Sequence, residues 1–164
     1  MKQQRFDEFF HLLTNDAIEG GFSNRKEDAG GKTKYGITEK TYKHALDTLC
    51  IPNVPLEKMS LDTAKMIYRI FYYDPCIGVE DKESHYNLFD AHVNGGYGAY
   101  RELKKVIDGI SDPLIMREAI YQAREHRFRL LAEHDHVHGQ PNLHGWLLRL
   151  ERIKQYFHTG KITT

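Results

Sequence analysis

At 164 residues the chain is long enough for one well-buried core, or for a catalytic lobe with a small appended one, and too short for two domains of full size. Charged residues make up 28% and hydrophobic ones 40%, and the formal net charge is zero. This balance excludes a disordered chain and argues against a nucleic-acid partner, because phosphate binding demands a basic excess. The neutrality hides an asymmetry: from Arg101 onward 11 Lys and Arg stand against 8 Asp and Glu, a mildly basic half suited to an anionic polymer. Two cysteines, Cys50 and Cys76, form no CxxC pair and read as buried free thiols. The cationic N-terminus runs straight into an amphipathic segment, so no signal peptide is visible, and no run of 18 apolar residues spans a membrane.

Taken in order, the first element is a helix. Phe6, Phe9, Phe10, Leu13, Ala17 and Ile18 recur at three- to four-residue spacing, and Gly20-Gly21 closes the pattern just after Glu19. A glycine-rich loop follows, in which Tyr35 to Thr38 can contribute to a short hairpin. Thr38 caps a helix over about 39–49, which Pro52 and Pro55 break. Ser60 caps the next helix, with Leu61, Ala64, Ile67, Tyr68 and Phe71 on one face, stopping before Asp74-Pro75. A helix from about Ser84 to Val93 should end at Gly95-Gly96, and that junction is the expected boundary between a catalytic lobe, 1–96, and a C-terminal region, 97–164. A short helix over 100–108 follows. Ser111-Asp112-Pro113 then opens what should be the longest helix and central pillar, burying Leu114, Ile115, Ala119, Ile120, Ala123, Phe128, Leu130 and Leu131. The run His134-Asp135-His136-Val137-His138 reads as a solvated loop rather than a zinc site. A last helix carries Trp146, Leu147, Leu150, Ile153 and Phe157 and ends at Gly160. The expected fold is mainly α with a small hairpin or irregular active-site loop.

The chemistry concentrates between Ile18 and Thr38. Glu19, on the last turn of a packed helix, sits by the negative end of the dipole and near apolar side chains, and both favour its protonated form. A general acid working near neutral pH needs that. Asp28 follows nine residues later and Thr33 five after that. Glycines around them let the loop fold back towards Glu19. Two carboxylates flanking a cleft are the working parts of glycoside hydrolysis.

The segment Glu19-Gly20-Gly21-Phe22 with Asn24, Asp28, Gly30-Gly31, Thr33 and Tyr35-Gly36-Ile37-Thr38 resembles the signature of glycoside hydrolase family 108, bacterial and phage N-acetylmuramidases that cut peptidoglycan. Tyr72-Tyr73-Asp74-Pro75, Leu88-Phe89-Asp90 with Val93-Asn94-Gly95-Gly96, and Gly145-Trp146 with Arg149 resemble further family motifs in the same order. The loop also resembles that of phage lysozymes of the Glu, Asp, Thr type, although Thr33 lies one step closer to Asp28 than in that pattern. The family often carries a C-terminal peptidoglycan-binding region, and Asp108-Gly109-Ile110 keeps part of its turn while Ser111-Asp112-Pro113 departs from it.

The resemblance implies a lysozyme-like fold and cleavage between N-acetylmuramic acid and N-acetylglucosamine. Glu19 would protonate the leaving oxygen. Asp28 would stabilise the developing positive charge or activate water, and Thr33 would help hold that water. Tyr35, Tyr72, Tyr73, Asp90 and Asn94 are the candidate substrate contacts. Bland alternatives stand beside four of them: core packing for Tyr72 and Tyr73, helix capping and interhelical bonding for Asp90 and Asn94. The chemistry needs no metal or other cofactor. The partner is the peptidoglycan glycan strand, with no nucleic acid and no membrane insertion. A wall hydrolase without its own signal needs a holin, lysis or an export route to reach its substrate. Rival readings are a lytic transglycosylase using Glu19 alone and a non-catalytic wall-binding or secretion-associated protein.

Overall fold

The structure is a computed structural model and describes residues 2–14, 33–134 and 139–161. In order these form α1 (Lys2–Leu13), β1 (Thr33–Lys34), β2 (Ile37–Thr38), α2 (Glu39–Thr48), α3 (Leu61–Tyr68), α4 (Lys82–Val106), α5 (Pro113–His134) and α6 (Gly139–Thr159). A 3-10 turn at Leu56–Lys58 precedes α3, and a π-helical turn, Arg69–Tyr73, and a 3-10 turn, Asp74–Cys76, follow it. The fold is mainly α with one two-stranded antiparallel ladder, as expected, and is consistent with a lysozyme-like arrangement. None of the described helices is long and apolar enough to cross a membrane.

The chain forms two compact units, one made of Met1–Phe22 with Cys76–Thr164 and the other of Ser23–Pro75. In the smaller unit, Thr38 Oγ1 accepts from the Thr41 amide and Ser60 Oγ from the Thr63 amide, so both expected N-caps start their helices. Ile37, Tyr42, Ala45, Leu56, Met59, Ala64, Ile67, Tyr68 and Tyr73 are buried there. The expected helix through Phe71 instead leaves α geometry at Arg69 and widens into the π turn. Cys50 is exposed, a correction to the buried thiol read from its apolar neighbours; Cys76 is buried, and desolvation pushes its thiol up to about 12.

The larger unit is organised by α4. Every residue from Glu83 to His92 is buried, so this helix and not α5 is the central pillar. Asp81 caps it through the Ser84 amide at 2.9 Å. The two helices expected on either side of Gly95-Gly96 are one 25-residue element with a kink at Gly96 (φ 71°, ψ −174°), which makes α4 longer than the 22-residue α5. A side chain at Gly95 would put its Cβ 2.6 Å from that of Ala99, so the tight turn at the kink needs glycine at both positions. The expected lobe boundary at 96 thus coincides with this kink, inside the larger unit. Asp112 Oδ1 accepts from the amides of Leu114 and Ile115, as its Ser-Asp-Pro signal predicts. Leu114 and Ile115 themselves are 70% and 60% exposed, against the expectation that they pack. The cap fixes the helix start; it does not put the first turn under cover.

Aromatic side chains join α1, α4 and α6. Phe9 meets Tyr86 edge-on at 5.2 Å and His85 at 5.1 Å, and Tyr86 meets Phe157 at 5.5 Å. Lys82 pairs with Glu8 at 2.6 Å, and the Tyr156 hydroxyl donates to the same carboxylate. His85 is 3% exposed, and burial, helped by the charge of Arg5, holds its imidazole down at about 4. The unfolded chain therefore binds a proton here between pH 6.5 and about 4 that the folded chain does not. Stability is full above pH 6.5 and should fall across that window by an amount on the order of 2–3 kcal/mol. Urea unfolding at pH 7 and pH 5 measures it. His85→Leu should flatten the difference, and an unchanged difference in that variant would assign the acid sensitivity to other groups.

Candidate active site

Glu19 and Asp28 lie outside the described residues, as does the histidine run from Asp135 to His138. Among the described residues no group of three or more His, Cys, Asp or Glu could hold a metal ion. The remaining candidates fall into two groups, one in each unit.

In the smaller unit the β1–β2 hairpin carries Thr33 and Tyr35. Thr33 pairs with Thr38 and Lys34 with Ile37, which leaves Tyr35-Gly36 as a two-residue turn with both φ positive, 51° and 76°. Glycine accepts that geometry freely, whereas a tyrosine in the left-handed region costs about 1 kcal/mol. Two contacts hold it: the Tyr68 hydroxyl donates to the Tyr35 carbonyl at 3.1 Å, and the Lys34 ammonium lies 5.2 Å from the Tyr35 ring centroid. Lys34 in turn donates to the Glu57 carbonyl. The result is an aromatic ring kept 43% exposed at the hairpin tip. The Tyr68 ring also meets Tyr72 at 5.7 Å, and Phe71 meets His44 at 5.1 Å. Thr33, Tyr35 and Tyr72 thus belong to one unit, in which Tyr68 touches both tyrosines. The π turn separates the fates of neighbours: Tyr72 is half-buried, while Tyr73 is 1% exposed and packs in the core.

The larger unit holds Asp90 and Asn94. Asp90 is fully buried, with Arg124 on Oδ2 and Arg149 on Oδ1. Asn94 Nδ2 donates to the Asp90 carbonyl at 3.0 Å and to its Oδ1 at 3.2 Å. Burial alone would raise the Asp90 carboxyl, but the guanidiniums of Arg149 and Arg124 outweigh it and hold the group below the usual carboxylate range. Interhelical bonding, the alternative kept for Asp90, is what its side chain does here: it ties α4 to α5 and α6. The network continues up α4. Arg124 Nη1 donates to Asn87 Oδ1 at 2.7 Å, Asn87 Nδ2 donates to the Tyr121 hydroxyl, and that hydroxyl donates to Glu83 at 2.7 Å. Arg117 bridges Glu83 and the capping Asp81. Asn87, Tyr121 and Arg124 were not singled out from the sequence. Their signal was present as matched polar stripes, Glu83, Asn87, Asp90 and Asn94 on one helix and Arg117, Tyr121 and Arg124 on the other, both at three- to four-residue spacing.

The family pattern described as Glycosyl hydrolase 108 matches residues 15–96, half of the chain, and that span contains Glu19, Asp28, Thr33, Tyr35, Tyr72, Tyr73, Asp90 and Asn94. No curated protein and no solved structure matches the chain significantly. The chain belongs to the glycosyl hydrolase 108 family and is a glycoside hydrolase.

Proposed function

We propose that the protein is a peptidoglycan hydrolase that cleaves the bond between N-acetylmuramic acid and N-acetylglucosamine. The observation that carries this reading is the family match over residues 15–96, which spans the Glu19 to Thr38 loop with both carboxylates and the hydroxyl. In the proposed reaction Glu19 gives its proton to the leaving glycosidic oxygen as the bond to the anomeric carbon breaks. Asp28 stabilises the oxocarbenium-like charge or draws a proton from the attacking water, and Thr33, at the first position of β1, helps hold that water. Tyr35 offers its exposed ring to a sugar face from the hairpin tip, and Tyr72 is the second aromatic of that unit. Residues 1–96 supply the catalytic machinery, and 97–164 brace it through the arginines that engage Asp90. The substrate lies outside the cytoplasm, so the enzyme reaches it through a holin, lysis or an export route.

The test is incubation of the purified chain with purified, washed peptidoglycan, read as loss of turbidity and release of soluble muropeptides. Clearing supports the reading. A folded protein that releases nothing from walls of several chemotypes would overturn it.

A further inference from the structure

The hairpin turn at Tyr35-Gly36 carries a residue that its own geometry disfavours. A two-residue turn with both φ positive prefers asparagine, aspartate or glycine at its first position, yet a tyrosine stands there at φ 51°. Backbone strain of this kind persists only where surrounding contacts over-determine it, and it gathers at functional positions. The contact at the tip comes from α3. Tyr68 is 4% exposed, and its hydroxyl donates to the Tyr35 carbonyl at 3.1 Å. Its ring also lies 5.7 Å from that of Tyr72. One buried phenol thus reaches both tyrosines that the proposed function names.

The base of the hairpin is held by other means. Thr33 pairs with Thr38, and Thr38 is fixed as the N-cap of α2, its Oγ1 accepting from the Thr41 amide at 3.2 Å and lying 3.1 Å from the Thr41 hydroxyl. Ile37 is 2% exposed and pins the return strand into the core of the smaller unit. Lys34 is tied to the Glu57 carbonyl. Each of these contacts is made without the Tyr68 hydroxyl. The hairpin therefore has separate anchors, a set at the base that fixes Thr33 and one at the tip that fixes Tyr35. Deleting the Tyr68 hydroxyl removes the tip anchor alone. Residue 35 can then relax out of the left-handed region, its ring is presented in only a fraction of the molecules, and affinity falls by that fraction.

We infer that Tyr68 is a positioning residue for substrate binding: its hydroxyl holds Tyr35 in the left-handed conformation that presents the Tyr35 ring at the hairpin tip, and so acts on KM rather than on kcat. The inference rests on the hydrolase reading, with the Tyr35 ring as a sugar contact.

The test compares wild type, Tyr68→Phe, Tyr35→Asn and the double variant on soluble, uncrosslinked peptidoglycan glycan strands, with kcat and KM measured separately. Tyr68→Phe keeps the buried ring and loses only the donor. It should raise KM by about twofold to tenfold, the range of one net hydrogen bond, with kcat nearly unchanged. Tyr35→Asn should also raise KM, because the ring is lost while an Asn-Gly turn holds its own shape. In that background Tyr68→Phe should have no further effect on KM, since the ring it positions is gone. A tyrosine with a merely structural role would instead lower the melting temperature equally in both backgrounds and leave KM alone. An unchanged KM in Tyr68→Phe, a loss confined to kcat, or equal KM changes in the two backgrounds would overturn the inference. NMR supplies a readout independent of turnover: the amide and Hα protons of Tyr35 should lie as close in wild type as a positive φ requires, and should average towards the extended distance in Tyr68→Phe. A residue 35 already extended in wild type would overturn the inference even if Tyr68→Phe failed to fold. A wild-type protein that cleaves no glycan strand removes the hydrolase reading and this inference together, whereas an active one indifferent to Tyr68→Phe removes the inference alone.

Discussion

Glu19→Gln is expected to abolish wall clearing while leaving the melting temperature nearly unchanged. The substitution keeps the side chain's size and its place in the sequence, and removes only the transferable proton. General acid catalysis is worth roughly 100-fold or more, so activity should fall at least that far, with the loss in the maximal rate rather than in wall binding. Retention of more than about a tenth of the activity would be too much for an enzyme that has lost its only acid. Restoration of cleavage on a substrate with an already activated leaving group, such as an aryl glycoside, would strengthen the assignment, because such a group departs without protonation.

The second large effect concerns stability. Arg124 is 3% exposed on its side chain and Asp90 is 0% exposed, so Arg124→Leu leaves a buried carboxylate with only part of its neutralising charge. Removing one partner of a buried pair costs about 3–5 kcal/mol, a large share of the roughly 5–15 kcal/mol that holds a domain of this size. The variant should unfold well below the wild-type urea midpoint or fail to accumulate. Asp90→Asn should do at least as much harm as Arg124→Leu, since it leaves the guanidiniums of Arg124 and Arg149 together without the carboxylate that neutralises them. A loss under about 1 kcal/mol in Arg124→Leu would mean that water or another cation reaches the carboxylate, and the network would then be less closed than its geometry indicates.

How much of this was legible beforehand differs element by element. The caps at Thr38 and Ser60, the Asp112-Pro113 start and the Gly160 end are local chemistry, and each lies where the sequence puts it. The kink at Gly96 was legible as a break, but not as a bend inside one helix, because two glycines look the same in either case. The identity of the pillar was misread for a related reason. Apolar count favoured α5, whereas α4 buries Glu83, Asn87, Asp90 and His92 along with its apolar residues, and polar side chains can be buried only when partners elsewhere in the chain satisfy them. Those partners, Arg117, Tyr121, Arg124 and Arg149, lie 34 to 59 residues away and are invisible to local pattern. Asp90 shows the same limit at the site. Its motif pointed to a substrate contact, whereas both of its carboxylate oxygens are engaged by the arginines, which lie far along the chain. Tyr35 is the opposite case, since a short hairpin involving Tyr35 to Thr38 was readable while the left-handed strain and the Tyr68 tether were not.

The most direct test of the central claim is the chemistry of the new chain ends. Hydrolysis delivers water to the anomeric carbon, so the released muropeptides should carry free reducing muramic acid that borohydride converts to the alcohol, visible as a gain of two hydrogens by mass spectrometry. A second carboxylate and a hydroxyl after Glu19 have an evident role only if such a water must be positioned. A digest dominated by borohydride-resistant 1,6-anhydro ends, each one water lighter, would contradict hydrolysis and show that the sugar's own 6-hydroxyl had attacked instead.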